Sequence, residues 1–246
     1  MKKLFTLLLV VSMAFASFAQ RTAVEGIELD FTKFRAEVGD TLLPGNWANA
    51  TGASIYSWAE GNGYILGTNA YGDQGYGQVF EVTEPYAIGS AIFWIAYREG
   101  EVGDVEFTVW DFSTGEVGDV LGSKLVSMDE IAPTTSLSEA YTVTFDEVIN
   151  VTGDYLIGAD LSGLSAFEAE VYEFAQVSSK DGDGAEGGLV YTQNADGDWE
   201  CLFDVREIDF DAGIFPIIGE GSSVEESSNN FTVNAYPNPF TNEITI

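Results

Sequence analysis

The chain has 246 residues, with 40 Asp and Glu against 9 Lys and Arg and a formal net charge of −31, and it contains no histidine and a single cysteine, Cys201. Without imidazole there is no Ser-His-Asp or Cys-His nucleophile pair and no histidine-ligated zinc or iron, and one cysteine allows neither an internal disulfide nor a CxxC site. So few cations make nucleic acid and anionic membranes poor partners, whereas 46% hydrophobic content supplies enough apolar surface for a folded core.

Met1-Lys2-Lys3 forms a cationic head, and the apolar run from Leu4 to Ala16 is too short for a hydrocarbon core of roughly 30 Å. Small residues follow at Ser17 and Ala19, the −3 and −1 positions of a cleavage site. Residues 1–19 therefore read as a signal peptide, cut between Ala19 and Gln20. No cysteine follows the run, which excludes a lipid-anchored form, and no later segment has membrane-spanning length. Once the leader is removed, no integral membrane segment is expected.

Residues 20–220 are predicted to form one all-β domain, an antiparallel β-sandwich of about ten strands with a jelly-roll-like arrangement. Ile27 to Phe31 reads as a first strand and Leu42 to Thr51 as a loop. Between Gly45 and Gly77 aromatic residues alternate with turn glycines. Trp47, Trp58, Tyr64 and Tyr71, with the polar Asn69 and Asp73, make a candidate sugar-binding surface: rings stack on pyranose faces while amides and carboxylates take the hydroxyls. The other reading of the same residues is core aromatics between tight turns.

Further strands are expected over Gly77 to Val82, Ile88 to Tyr97, Val105 to Phe112, Tyr141 to Asn150, Tyr155 to Asp160, Phe167 to Val177, Leu189 to Gln193 and Trp199 to Val205. In Val105 to Phe112 apolar residues fall on alternate positions, which predicts one face inward and one toward water. Trp94 and Trp110 are assigned to the core. Two acidic turns stand out, Asp181 with Asp183, and Asn194 with Asp196 and Asp198. Oxygens at every second position resemble the start of a calcium loop, so calcium is the one cofactor considered. The alternative is a hairpin turn, because Asp-Gly between apolar runs is itself the hairpin signal.

Residues 221–230, rich in Ser, Asn and Glu, form a linker. Beyond it, Tyr236-Pro237-Asn238-Pro239-Phe240 fixes a rigid extended turn between two short strand patterns, the second ending at Glu243-Ile244-Thr245-Ile246. Residues 231–246 resemble the opening of the C-terminal sorting domain of the type IX (Por) secretion system. Members of that family run several tens of residues, so the sorting domain is expected to be truncated here. The resemblance implies export through the periplasm and the type IX secretion machinery, to the medium or the outer cell surface. Gly63 to Asn69, Tyr71-Gly72-Asp73 and Val109-Trp110-Asp111 more loosely resemble β-sandwich modules that precede such sorting domains. The expected function is a non-catalytic binding or adhesion module for an extracellular glycan or surface protein. The alternatives are a carboxylate-dependent polysaccharide hydrolase, for which spacing along a sandwich selects no catalytic pair, and a structural surface spacer.

Overall fold

The computed structural model describes residues 21–29, 41–100, 103–164, 166–185 and 187–219. The expected signal peptide with its Ala19/Gln20 cleavage point, the linker and the Tyr236-Pro237-Asn238-Pro239 motif lie outside the described residues.

The strands are β1 Ala23–Leu29, β2 Ala53–Trp58, β3 Gly75–Phe80, β4 Tyr86–Phe93, β5 Ile95–Glu99, β6 Asp104–Asp111, β7 Val120–Ser127, β8 Tyr141–Val151, β9 Tyr155–Asp160, β10 Glu173–Gln176, β11 Ser178–Ser179, β12 Val190–Gln193, β13 Trp199–Cys201 and β14 Ile214–Ile218. Among the described residues one α-helix, α1 Leu202–Arg206, interrupts them. The fold is all-β and sandwich-like, as expected. One layer is a six-stranded antiparallel sheet in the order β13-β12-β3-β9-β6-β7. Three smaller sheets, β14-β4-β8, β1-β2-β11 and β10-β5, complete it. Trp94 stitches these together: its N–H donates to Gly213 O and its carbonyl accepts from Val177 N, each at 2.9 Å.

Between the layers, Val105, Phe107 and Val109 of β6 are fully buried, and the Phe107 ring lies 4.4 Å from that of Phe93 on β4. Each such side chain contributes about 2 kcal/mol through removal from water. Gly158 at the centre of β9 has a packing reason, since a Cβ there would stand 1.8 Å from Tyr76 O on β3.

The structure corrects several expectations. The second face of β6 meets water only at its start, where Asp104 is exposed and Glu106 half-buried: Thr108 and Trp110 are buried, and Trp110 packs edge-on against Trp199 at 5.1 Å. The apolar run Ile88 to Tyr97 is two strands because Trp94 changes hydrogen-bond partners midway. Only Glu173–Gln176 of the Phe167 to Val177 segment is strand. Before it, Glu168 O accepts from both Val171 N and Tyr172 N, and Glu170 takes φ 61°. Trp199 to Val205 turns helical after Cys201. Strand β7 was not expected, because Gly122, Ser123 and Lys124 break its apolar pattern.

Candidate functional site

The loop after β2 is anchored by Ile65 and Leu66, both buried. Asn69 then closes it. Its Oδ1 accepts from Tyr71 N at 3.0 Å and Asp73 N at 3.4 Å, while Nδ2 donates to Tyr64 O at 3.1 Å and Asp73 Oδ2 at 3.0 Å. This holds the Asp73 carboxylate, whose side chain is 3% exposed, against Arg21. One Nη of Arg21 donates to both carboxylate oxygens, at 2.9 and 3.0 Å. The guanidinium lies 4.3 Å from the Tyr71 ring centre and 5.7 Å from that of Trp58, within cation–π range.

Four of the six expected ligand residues, Trp58, Asn69, Tyr71 and Asp73, thus converge, but on the chain's own Arg21. Trp58 is 2% exposed, so it offers no stacking surface. Trp47 lies elsewhere and is equally buried, edge-on to Phe215 at 5.1 Å and to Trp94 at 6.4 Å. The sugar platform expected of these two tryptophans is corrected: both rings are used in packing. Tyr64 is half-buried, its ring 5.9 Å from that of Tyr97, and its hydroxyl donates to Glu173 Oε2 at 3.3 Å.

Beside the Asn69–Asp73 loop, a cleft of about 290 Å³ opens against the segment after β9. Its lining includes the polar Asp73, Gln74 and Ser162 and the apolar Leu161, Leu164 and Phe167. That volume is close to the lower end of small-molecule sites. A second hollow of about 650 Å³ is lined by Leu42, Val79, Phe80 and Tyr86, with Glu81 and Glu84 also on its lining.

Asp211 is 0% exposed. Asn46 N donates to its Oδ2 at 2.6 Å and Gln78 Nε2 reaches Oδ1 at 3.5 Å. Burial pushes its carboxyl up to about 6, against the lowering effect of those hydrogen bonds. Gly45, which with φ 38° lies against this carboxylate, lines the larger hollow.

The two acidic turns are built as turns. Asn194 Oδ1 accepts from Asp196 N and Asp198 N, both at 3.0 Å, and Gly197 takes φ 90° between β12 and β13, the hairpin alternative. Asp183 Oδ2 accepts from Thr51 N at 2.6 Å and Thr51 Oγ1 at 2.8 Å, and Asp181 Oδ1 from Asp209 N at 2.8 Å. Among the described residues, no three His, Cys, Asp or Glu side chains stand together as a metal ion requires. No described helix is long and apolar enough to cross a membrane.

Sequence reading missed Arg21, Gln74, Ser162 and Phe167. A cation in so acidic a chain was the available signal for Arg21. Compared with family models, curated proteins and solved structures, the chain has no match.

Proposed function

We propose that this chain is an exported β-sandwich module, displayed at the cell surface or secreted, that binds an extracellular ligand without chemical turnover. The cleft between the Thr68–Gln74 loop and the Leu161–Phe167 segment carries this reading. It brings the half-buried Phe167 and Leu164 together with the Gln74 amide and the exposed Ser162 hydroxyl, an apolar surface beside neutral hydrogen-bonding groups, the chemistry that suits one sugar residue. The dilysine leader and the Tyr236-Pro237-Asn238-Pro239 motif support a route through the periplasm and the type IX machinery. Asp211, a carboxyl whose proton affinity burial raises, is enclosed in the protein and hydrogen-bonded, which favours a structural role over acid–base catalysis.

The test is retention of the mature chain on a polysaccharide panel with reducing ends measured in parallel. Retention without new reducing ends, lost in Phe167→Ala and Gln74→Ala, is the expected result. Release of reducing ends would replace this reading by a hydrolase, and retention unaffected by either variant would move the ligand elsewhere.

A further inference from the structure

One face of the β5-β10 pair carries residue types like those of the Arg21 clamp, carboxylates beside two aromatic rings. Antiparallel pairing sets Glu99 directly opposite Glu173 and Tyr97 opposite Ala175, so Tyr97, Glu99 and Glu173 share one face. Tyr64 lays its ring against Tyr97, tilted 41°, and its hydroxyl donates to Glu173 Oε2. Glu170 N donates to Glu173 Oε1 at 3.0 Å, so both carboxylate oxygens are oriented. The two ring pairs have nearly the same spacing, 5.6 Å for Trp58 with Tyr71 and 5.9 Å for Tyr64 with Tyr97.

What differs is the cation. Among the described residues the ion pairs are Arg21 with Asp73, Arg98 with Asp129, and Lys124 with Asp146, and none reaches Glu99, Glu170 or Glu173. Arg98, between Tyr97 and Glu99, is engaged by Met128 O and Asp129. Like charges directly opposite each other in a strand pair are destabilising, a cost that a cation laid between them removes. Tyr64, Tyr97 and Glu173 are half-buried and Glu99 and Glu170 exposed, so the glutamate end of the face reaches solvent, while Ala175 opposite Tyr97 is buried. Both tyrosine hydroxyls are driven upward in pKa, first by burial and then by Glu173, and remain neutral donors.

We propose that this face, with Tyr64, Tyr97, Glu99 and Glu173, docks an arginine side chain of a partner protein. A planar guanidinium can lie on a tyrosine ring while it donates to a carboxylate, which an ammonium does less well. The formal charge of −31 draws a cationic partner in from a distance. None of these four residues lines the Gln74–Phe167 cleft, so the proposal does not rest on it.

The test is titration of the mature chain with an acetylated Gly-Arg-Gly-Arg-Gly peptide and with its citrulline counterpart, which keeps the shape and loses the charge. The arginine peptide is expected to bind and the citrulline peptide not, with affinity falling roughly tenfold in Tyr97→Ala and in Glu173→Gln. Glu116→Gln, which removes one charge from an exposed loop, should leave binding unchanged. An equal loss in Glu116→Gln would reduce the effect to net charge and overturn the proposal, as would equal binding of both peptides or of neither. A polysaccharide that is retained at the cleft but leaves the peptide affinity unchanged would keep the two sites apart.

Discussion

Two buried carboxylates, Asp73 and Asp211, are accommodated in opposite ways. Asp73 has a cation: Arg21 donates to both of its oxygens, Asn69 adds an amide, and two aromatic rings cover the guanidinium. For Asp211 no ion pair is found among the described residues, and neutral donors from Asn46 and Gln78 hold it. With 9 cations for 40 carboxylates, most acidic side chains in this chain cannot have a partner of opposite charge. The difference teaches that a buried carboxylate can be fixed either by a cation or by neutral donors, and that where neutral donors alone face it, burial raises its proton affinity against their pull.

The largest expected effect tests the neutral solution. Gly45→Ala would place a Cβ 2.1 Å from Asp211 Oδ1, at a backbone φ of 38° that favours glycine. Neither the loop nor the carboxylate can yield without breaking the Asn46 bond, so a loss of about 4 kcal/mol in urea unfolding is expected. A loss below about 1 kcal/mol would mean that Asp211 is held less rigidly than its contacts imply.

The paired solution is tested next. Arg21→Ala strands the Asp73 carboxylate and should cost about 3 kcal/mol. Asp73→Asn in the same chain should recover part of that loss, because the uncompensated charge disappears with it. Additive losses in the double variant would show that Arg21 acts through Tyr71 and Trp58 and not through Asp73.

Much of this was legible in the sequence, and what was not has a physical cause. Strand β9 announces itself at both ends, an apolar run of strand length after Gly153-Asp154, and its bounds match the expectation of Tyr155 to Asp160. Strand β7 does not, because its Gly122 is required by the other layer: a Cβ there would stand 2.6 Å from Ile149 Cγ1. Trp58, Asn69, Tyr71 and Asp73 lie close enough in the chain to be grouped from the sequence. Whether their rings face water or the interior depends on Arg21, which pairs with Asp73 across 52 positions. Asp211 carries no local signal, since its environment comes from segments distant in sequence, Asn46 and Gln78.

Proton linkage separates the two carboxylates further. The Asp211 carboxyl rises from 3.8 to about 6 on folding, so the folded chain holds this proton more tightly than the unfolded one. Its contribution to stability is present in full below about pH 4 and is lost as pH rises through about 6. The loss is on the order of 2–3 kcal/mol across that window. Repulsion among the other carboxylates slopes the same way, so the useful quantity is wild type minus Asp211→Asn, followed by denaturant unfolding from pH 4 to 8. That difference should vary over this window and be flat outside it. A difference that is flat throughout would remove Asp211 as a titrating group in the folded chain.

The smallest effect calibrates the paired solution. Lys124 and Asp146 also form an ion pair, between β7 and β8, but their side chains are 33% and 76% exposed. Water already solvates both charges there, and salt screens what attraction remains, so Lys124→Met should change stability by under about 1 kcal/mol. The Arg21 pair should keep most of its effect in 1 M salt, because Asp73 is shielded from the ions that do the screening. If salt erased both effects alike, the Arg21 clamp would be a surface pair in its energetics, and its burial beneath Tyr71 and Trp58 would count for packing alone.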